Sequence, residues 1–305
     1  MAASPRDREL ARLHRGARVR RYPSVVARWL AGWLRAPRPA AIDPVPPVEP
    51  GQVAVTFVGH ASLIVRYPGL AIAIDPVLGG WLGPIRRATA AGATAATIAD
   101  VGLILITHAA AGHLHPASLR RLPRAAAVVV PRGAGRRIQR LGFTDVVELA
   151  PGAALTRGAV AIEAVAVGAG LAYLVRGDGP SVLACGAGGY GPAFAELGAR
   201  AAPDVAALPI GGFVPASFRA RHMSPLDALY AFEDLRARAL IPVRHGAFAL
   251  SYERLDEPAR WLVELARARG VRDHVLVMTP GQTERFVVAA PPVVRAPARA
   301  APAGP

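Results

Sequence analysis

An apolar strand followed by a cluster of histidines constrains this chain more than any other feature of its sequence. Residues 103–106 read Leu-Ile-Leu-Ile without a polar interruption, which is typical of a strand buried on both faces. The run ends at Thr107, and three histidines follow it closely: His108, His113 and His115. Open α/β sheets build their sites at the carboxyl ends of their strands. The stretch therefore predicts a functional loop at the end of a central strand.

Size and composition predict a globular protein. The 305 residues are 52% hydrophobic, with a mean hydropathy of +0.31, which is enough to bury a large core. The stretch nearest to a membrane span, residues 158–175, contains Glu163 and a glycine-rich break, so it predicts two buried strands instead. The arginine-rich start lacks the apolar segment of a secretion signal. Cys185 is the only cysteine, so no internal disulfide can form and a reducing cytoplasm is predicted.

The chain is strongly basic, with a net charge of +15 carried by 36 arginines and no lysine. Many alanines, glycines and prolines accompany the arginines, which indicates a bias towards GC-rich codons and weakens a functional interpretation of the charge. Ten arginines nevertheless precede residue 39, against only Asp7 and Glu9. A basic arm of this kind suits acidic lipid or nucleic acid, and the alternative is a solvated lead-in. Nucleic acid is not favoured, because no aromatic side chains are interleaved with the arginines.

An amphipathic helix is predicted within this lead-in. Ser24 is a suitable N-cap, and apolar residues follow at helical spacing: Val25, Val26, Trp29, Leu30, Trp33 and Leu34. One interpretation is a membrane-peripheral helix with Trp29 and Trp33 at the headgroup level. The other is a helix that packs on the protein's own body or on a partner subunit. We divide the chain into a lead-in with a Pro-rich linker (1–50), a body (51–288) and a disordered Ala/Pro-rich tail (289–305).

Strand signals begin directly after the linker. Residues 53–57, 62–66 and 71–74, joined by tight turns, predict a β-meander. Further strands are predicted near 127–130, 146, 160, 171–175, 181–184, 240–243, 275–278 and 285–288, and helices near 133–141, 192, 224 and 256. Strands and helices mixed in two similar halves suit an α/β fold, a four-layer αββα sandwich with its site at one edge.

The histidine loop resembles the metal-binding motif of the metallo-β-lactamase fold, Thr/Ser-His-x-His-x-Asp-His after a buried strand. His108 and His113 match the first and last histidines, whereas Ala110 and Gly112 occupy the places of the middle histidine and the aspartate. Other segments resemble relatives of the N-acyl-phosphatidylethanolamine-hydrolysing phospholipase D and the L-ascorbate-6-phosphate lactonases: 58–62, 74–76, 208–211, 222–225 and 245–248. The resemblance implies the αββα fold and a dinuclear zinc hydrolase that cleaves phosphodiesters or lactones.

The resemblance also implies roles for individual residues. His108 and His113 would be metal ligands, one to each ion, and His245 would be a ligand from the second half. His222 would face the substrate as the catalytic residue. Three residues would support the site: His60, Asp75 and His115, the last as an alternative ligand.

Four ligands expected from the resemblance are absent from this sequence. Besides those at Ala110 and Gly112, a histidine is missing within residues 166–170 and a bridging aspartate at Ala187. Two cations about 4 Å apart repel each other unless carboxylates bridge them, and a catalytic zinc usually has three protein ligands. A dinuclear centre is therefore not predicted.

Three hypotheses about function remain open. The first is a pseudoenzyme-like relative that has lost the dinuclear centre, is non-hydrolytic or weakly active, and binds a small-molecule or lipid-like ligand in the cleft. The second is a hydrolase of a phosphodiester or lactone with one zinc ion held where His108, His113 and His245 converge. The third is a membrane-peripheral interaction module. Cys185 is predicted to be a buried hydrophobic residue and not a nucleophile, and the sequence predicts no particular oligomeric state.

Overall fold

The computed structural model describes residues 25–45 and 47–288. The predictions about the basic arm before residue 25 and about the tail from residue 289 fall outside these residues. The helices are α1 (Val25–Trp33), α2 (Ala95–Ile98), α3 (Pro116–Leu119), α4 (Gly135–Gln139), α5 (Ala193–Ala201), α6 (Pro225–Leu235) and α7 (Glu257–Ala268). Within the described residues, no helix is both long enough and apolar enough to cross a bilayer.

The strands form two large sheets and one small hairpin. Their bounds are β1 (Gln52–Gly59), β2 (Ser62–Tyr67), β3 (Leu70–Ile74), β4 (Trp81–Leu82), β5 (Ile85–Arg86), β6 (Val101–Leu105), β7 (Ala127–Pro131), β8 (Val146–Leu149), β9 (Ala154–Arg157), β10 (Val160–Val167), β11 (Gly170–Gly177), β12 (Gly179–Cys185), β13 (Val205–Pro209), β14 (Ala239–Val243) and β15 (Thr283–Val287). One sheet has the order β15-β1-β2-β3-β6-β7-β8, the other β14-β13-β12-β11-β10-β9, and β4 pairs with β5. The antiparallel pairing of β1, β2 and β3 is the predicted meander.

Alternate residues of the central strands face opposite layers. In β6, Leu103 and Leu105 enter the core between the two sheets, whereas Ile104 packs beneath α2, α3 and α4. In β12, Val182 faces the same inter-sheet core and Leu183 packs beneath α5, α6 and α7. Burial on both faces explains why the β6 sequence is apolar throughout. The predicted four-layer αββα sandwich is confirmed.

Residues 275–278, predicted as a strand, are not one. They follow a 3₁₀ turn at Arg272–His274, and Val275 makes a single bridge to Leu240 on the edge strand β14. The Leu276 N–H donates to the Leu240 carbonyl at 2.8 Å, so the next bond of a continuing parallel ladder would have to come from Pro242 of β14. Proline has no N–H to donate, and the pairing ends there.

Helix α1 packs on the body of the protein, one of the two interpretations of its apolar stripe. The Trp29 indole donates to the Ala249 carbonyl at 2.8 Å, and its ring joins the apolar cluster that contains Phe248. Trp33 donates to the Pro84 carbonyl at 2.7 Å. The Pro-rich segment beyond the helix is also attached to the body, since the Arg38 backbone pairs with that of residues 88–90. Membrane contact of the helix remains a prediction.

Candidate functional site

Several strands end at one edge of the sandwich, and the predicted site residues lie in the turns that follow them. His60 follows β1, Asp75 follows β3, and Arg244 follows β14. All three have positive φ angles, of 60°, 44° and 62°, a backbone conformation that is uncommon outside glycine and often occurs at functional sites. The Arg244 N–H donates to the His60 carbonyl at 2.7 Å, so the ends of the two sheets are joined at this point.

Asp75 is the buried acceptor at the centre of the first-half residues. One carboxylate oxygen accepts the Thr107 backbone N–H at 2.7 Å, and the other accepts the Thr107 hydroxyl at 2.5 Å. The second oxygen also lies 2.6 Å from Nδ1 of His113. Because a carboxylate can only accept, His113 carries its proton on Nδ1 and presents a lone pair at Nε2.

The lone pair of His113 is taken by an arginine from the second half. Nη1 of Arg244 donates to Nε2 of His113 at 3.1 Å. Nη2 of the same guanidinium lies 3.5 Å from Nε2 of His222, at the outer limit of a hydrogen bond. Burial lowers the pKa of Arg244 to about 10, and nearby Glu253 and Asp75 oppose that shift. The guanidinium is therefore protonated at neutral pH and places a permanent cation between two histidines.

The surrounding imidazoles are neutral at physiological pH. Burial lowers the pKa of His108 to about 4 and that of His222 to about 3, and the positive charge of Arg244 acts in the same direction on both. Burial also holds the pKa of His60 well below its usual value. Asp75 and Arg244 are thus an anion and a cation among neutral rings.

Glycine backbones close the site where the second half approaches it. A Cβ built on Gly170 would lie 2.0 Å from Nε2 of His108, so that ring edge rests directly against the glycine. A Cβ on Gly186 would lie 2.0 Å from the Asp75 carboxylate. Side chains at either position would have no room, because first-half side chains fill the space.

His245 and His115, two of the residues predicted to act at the site, are engaged elsewhere. The His245 ring stacks on Phe57, with centroids 5.7 Å apart and an interplanar angle of 16°, and its Nε2 lies 3.2 Å from the Pro242 carbonyl. Nδ1 of His115 lies 2.7 Å from the Ser118 hydroxyl in the next turn. By contrast, the His108 and His113 rings are 5.0 Å apart, as expected for one loop.

His60 and His222 keep polar atoms without a protein partner. The buried His60 ring is 6.2 Å from that of His113 and edge-on to Phe248, and its Nε2 makes no hydrogen bond. Nδ1 of His222 and Nε of Arg244 are likewise buried and unpartnered. A Cβ on Gly212 would lie 3.5 Å from both Nε of Arg244 and the His222 ring. The unpartnered Nε of Arg244 and the His222 ring therefore border the same space over Gly212.

The donor atoms in this site do not fit a metal centre. Over residues 25–45 and 47–288, no three histidine, cysteine or carboxylate side chains come together in a way that could hold a metal ion. Nε2 of His113 already accepts from Arg244, and Nε2 of His108 faces the Gly170 backbone. A guanidinium is not a ligand, and its charge repels a cation at this distance.

Arg244 is the site residue that the sequence motifs did not indicate. It directly precedes His245 at the end of an apolar strand, so its position was the only available signal. The left-handed φ angle of 62° turns its side chain towards the first-half histidines, and a motif comparison does not contain that information.

Comparison with known proteins relates most of the body of the chain to one family. Residues 71–245 match the family model of the Beta-lactamase superfamily domain. A UPF0173 metal-dependent hydrolase of Methanopyrus kandleri is 26% identical over 244 residues, which cover 75% of this chain and 98% of that protein. The structure of Igni18, a metallo hydrolase from Ignicoccus hospitalis, superposes with a TM-score of 0.62 at 24% identity and covers 78% of this chain and 100% of that one.

The phospholipase D branch receives weaker support. The yeast mitochondrial N-acyl-phosphatidylethanolamine-hydrolyzing phospholipase D is 36% identical, but only over 83 residues, 27% of this chain and 18% of that protein. That likeness is too short to place the chain in this particular branch.

Proposed function

This chain belongs to the Beta-lactamase superfamily domain family, and we propose that it is a non-hydrolytic member in which Arg244 takes the place of a metal ion. One observation carries the proposal: Nη1 of Arg244 lies 3.1 Å from Nε2 of His113. A histidine whose other nitrogen donates to a carboxylate, as His113 does to Asp75, is arranged like a metal ligand. In this protein the lone pair on Nε2 of His113 accepts a hydrogen bond from the Arg244 guanidinium and not a bond to a metal ion.

Electrostatics support the proposal. A unit charge and a divalent ion about 4 Å apart repel by about 8 kcal/mol at the effective dielectric of a protein site. Asp75 offers a single negative charge, and it is already linked through His113 to Arg244. A metal ion at this point would face the Arg244 cation, and Glu253, the other carboxylate near Arg244, already accepts the Gly212 backbone N–H. Holding a metal ion here would therefore require Arg244 to leave.

Among the residues that the structure describes, the site also contains no strongly activated nucleophile. His222, with a pKa of about 3, is a weak base at neutral pH. Burial raises the pKa of the Cys185 thiol to about 12, and the negative charge of Asp75 acts in the same direction. A thiol of this kind is almost entirely protonated at neutral pH. We therefore propose binding and not hydrolysis as the activity of the cleft.

The unpartnered donors indicate what such a ligand would offer. The Arg244 side chain carries a buried N–H at Nε, and His222 carries one at Nδ1 if its Nε2 accepts from Arg244. Buried donors without partners are rare unless something else completes them. The neighbouring cavity beside residues 211–212 and 244–246 has a volume of about 20 Å³, enough for one water-sized group. A single oxygen atom of a small-molecule ligand would fit this space and these donors.

Metal content tests the proposal directly. Protein purified without chelator and then exposed to zinc, manganese or iron should retain far less than one ion per chain after desalting, as measured by elemental analysis. Arg244→His should take up about one zinc, because it replaces the cation with a donor beside His113 and His222. Arg244→Met is the matched control, since it removes the guanidinium and supplies no imidazole.

Hydrolysis assays complete the test. Wild-type protein should cleave chromogenic phosphodiesters and lactones no faster than His113→Ala. A stoichiometric metal in the wild type that is lost in His113→Ala, together with turnover, would instead establish the hydrolase with one zinc ion and overturn the proposal.

A further inference from the structure

Exposed apolar side chains are concentrated on α1 and on the hairpin beside it. Five large apolar residues, which we name the α1 patch, are exposed there: Val26, Leu30, Trp33, Leu34 and Trp81. Leu34 is 90% exposed, and Trp33 meets Trp81 edge to face at 6.2 Å. In the rest of the described chain, exposed large apolar residues are few: Tyr252, Val287 and Val288. Large apolar side chains that are exposed close together on a protein surface mark an interaction site.

The contacts of α1 fix which face points outward. Trp29 is held inward by its bond to the Ala249 carbonyl and by the cluster around Phe248. Trp33 donates to Pro84, and its own carbonyl accepts from the Arg86 guanidinium at 2.6 Å. With these bonds in place, the helix cannot rotate to bury the α1 patch. The outward residues are Leu30, Leu34 and the Trp33 ring, not the Trp29 ring that the sequence pattern indicated.

Arginines lie near the patch. A groove of about 1250 Å³ runs from Trp29 on α1 to the start of α7, and five arginines with exposed or half-buried side chains line it: Arg35, Arg38, Arg86, Arg254 and Arg260. Arg87 also borders the groove, but its guanidinium is buried and donates to backbone carbonyls. Asp256 and Glu257 are the carboxylates in that lining, so the five accessible arginines and these two negative charges leave a net charge of +3. Asp256 pairs with Arg254 and Arg260 at 3.1 and 3.4 Å. The negative charge is thus concentrated beside α7, and the positive charge prevails beside α1.

We infer that the α1 patch and the arginines beside it dock on an anionic lipid bilayer. Leucine and tryptophan side chains enter the interface between headgroups and acyl chains, while arginine binds lipid phosphates. The nine-residue helix would lie parallel to the membrane, since it is too short to cross it. This contact does not involve Arg244, so it is independent of the function proposed above.

The positive charge of the groove favours an anionic bilayer over two other partners, a second copy of the chain and the chain's own terminal segments. A second copy would bring another face with a net charge of +3 against the first, and the two would repel. Residues 1–24 contain seven arginines against Asp7 and Glu9, and residues 289–305 contain two arginines and no carboxylate side chain. Both ends of the chain therefore have the same sign as the groove. An anionic surface is the partner of opposite charge.

Vesicle sedimentation with the full chain tests the inference. The protein should sediment with vesicles of phosphatidylcholine mixed with phosphatidylglycerol, and less with phosphatidylcholine alone. High salt should weaken the binding. The double variant Leu30→Ser/Leu34→Ser should lower the partition coefficient about tenfold or more, because two apolar side chains are removed from the interface. Tyr252→Ser is the matched control, since it removes an exposed apolar residue outside the α1 patch and should bind like the wild type.

Charge reversal provides a second arm. Arg35→Glu should lower the partition coefficient about fivefold or more, because each basic residue near the surface contributes roughly that much. Arg132→Glu makes the same change in net charge at an exposed position outside the groove and should have a much smaller effect. Circular dichroism confirms that each variant is folded.

Two results would overturn the inference. One is a wild-type protein that stays in the supernatant with both kinds of vesicle. The other is a Leu30→Ser/Leu34→Ser variant that sediments as well as the wild type, which would assign the binding to the arginine-rich residues 1–24. Neither result bears on metal content, so the two proposals fail separately.

Discussion

The two halves of the sandwich contribute unequally to the site at their shared edge. The first half supplies a fully bonded set, with Thr107 and His113 at 2.5–2.7 Å from the Asp75 carboxylate. The second half supplies the Gly170 and Gly186 backbones and one cation, Arg244. The first-half bonds stabilise the fold whether or not anything is bound. The second half contributes a single charged hydrogen-bond donor, so the two halves differ in how much of the site's bonding they supply.

The largest expected effect is on the rate at which the Cys185 thiol of the second half reacts. Cys185 ends β12, and a reactive thiol there would give the second half a nucleophile of its own. Its pKa of about 12, against about 8.5 for a free cysteine, implies roughly a thousandfold less thiolate at neutral pH. A disulfide-exchange reagent should therefore label the native protein at least about a thousandfold more slowly than the unfolded protein. Rapid labelling of the native protein would show that the second half does supply a reactive nucleophile.

Loss of the Asp75 charge should produce the largest change in stability. Asp75→Asn removes the anion that is linked to Arg244 through His113, although Glu253 remains near the guanidinium. It also replaces an acceptor oxygen by an NH₂ group facing Thr107 or His113. Breaking a buried charge network of this kind costs about 3–5 kcal/mol in the free energy of unfolding. Asp145→Asn is the control, because that carboxylate pairs with Arg157 at the surface and should contribute about 1 kcal/mol or less. Equal losses in urea titrations of the two variants would contradict the structural role of Asp75.

A methyl group at Gly170 should have a smaller but definite cost. The new Cβ would lie 2.0 Å from Nε2 of His108, so the ring or the strand must shift. Overpacking of this kind costs about 1–3 kcal/mol. Gly191→Ala is the matched control, since nothing lies within 4 Å of its Cβ. If both variants unfold at the same denaturant concentration, the space beside His108 is open and could still accept a ligand.

The sequence predicted the scaffold better than the site. The apolar run over 103–106 and the meander before it were sufficient for the fold, because a strand buried on both faces has a recognisable composition. The second-half contacts depend on features that no pattern contains. The motif predicted His245 at the site, but Arg244, which has a left-handed φ angle, is the residue that contacts His113. His245 stacks on Phe57 instead. Similarly, the apolar stripe of α1 was visible, but only the bond from Trp29 to Ala249 determines which side of it is buried.

The smallest expected change in stability comes from substituting His245, the neighbour of Arg244 in the second half. His245→Phe keeps an aromatic ring for the stack on Phe57 and loses the contact of Nε2 with the Pro242 carbonyl. One neutral hydrogen bond contributes about 1 kcal/mol, so the free energy of unfolding should fall by about that amount. Metal content after exposure to zinc should stay at the wild-type value, because this ring does not face His113. His115→Phe is the control for loss of a histidine outside the centre. Zinc retained by the wild type and by His115→Phe but lost in His245→Phe would make His245 a ligand and give the second half a donor after all.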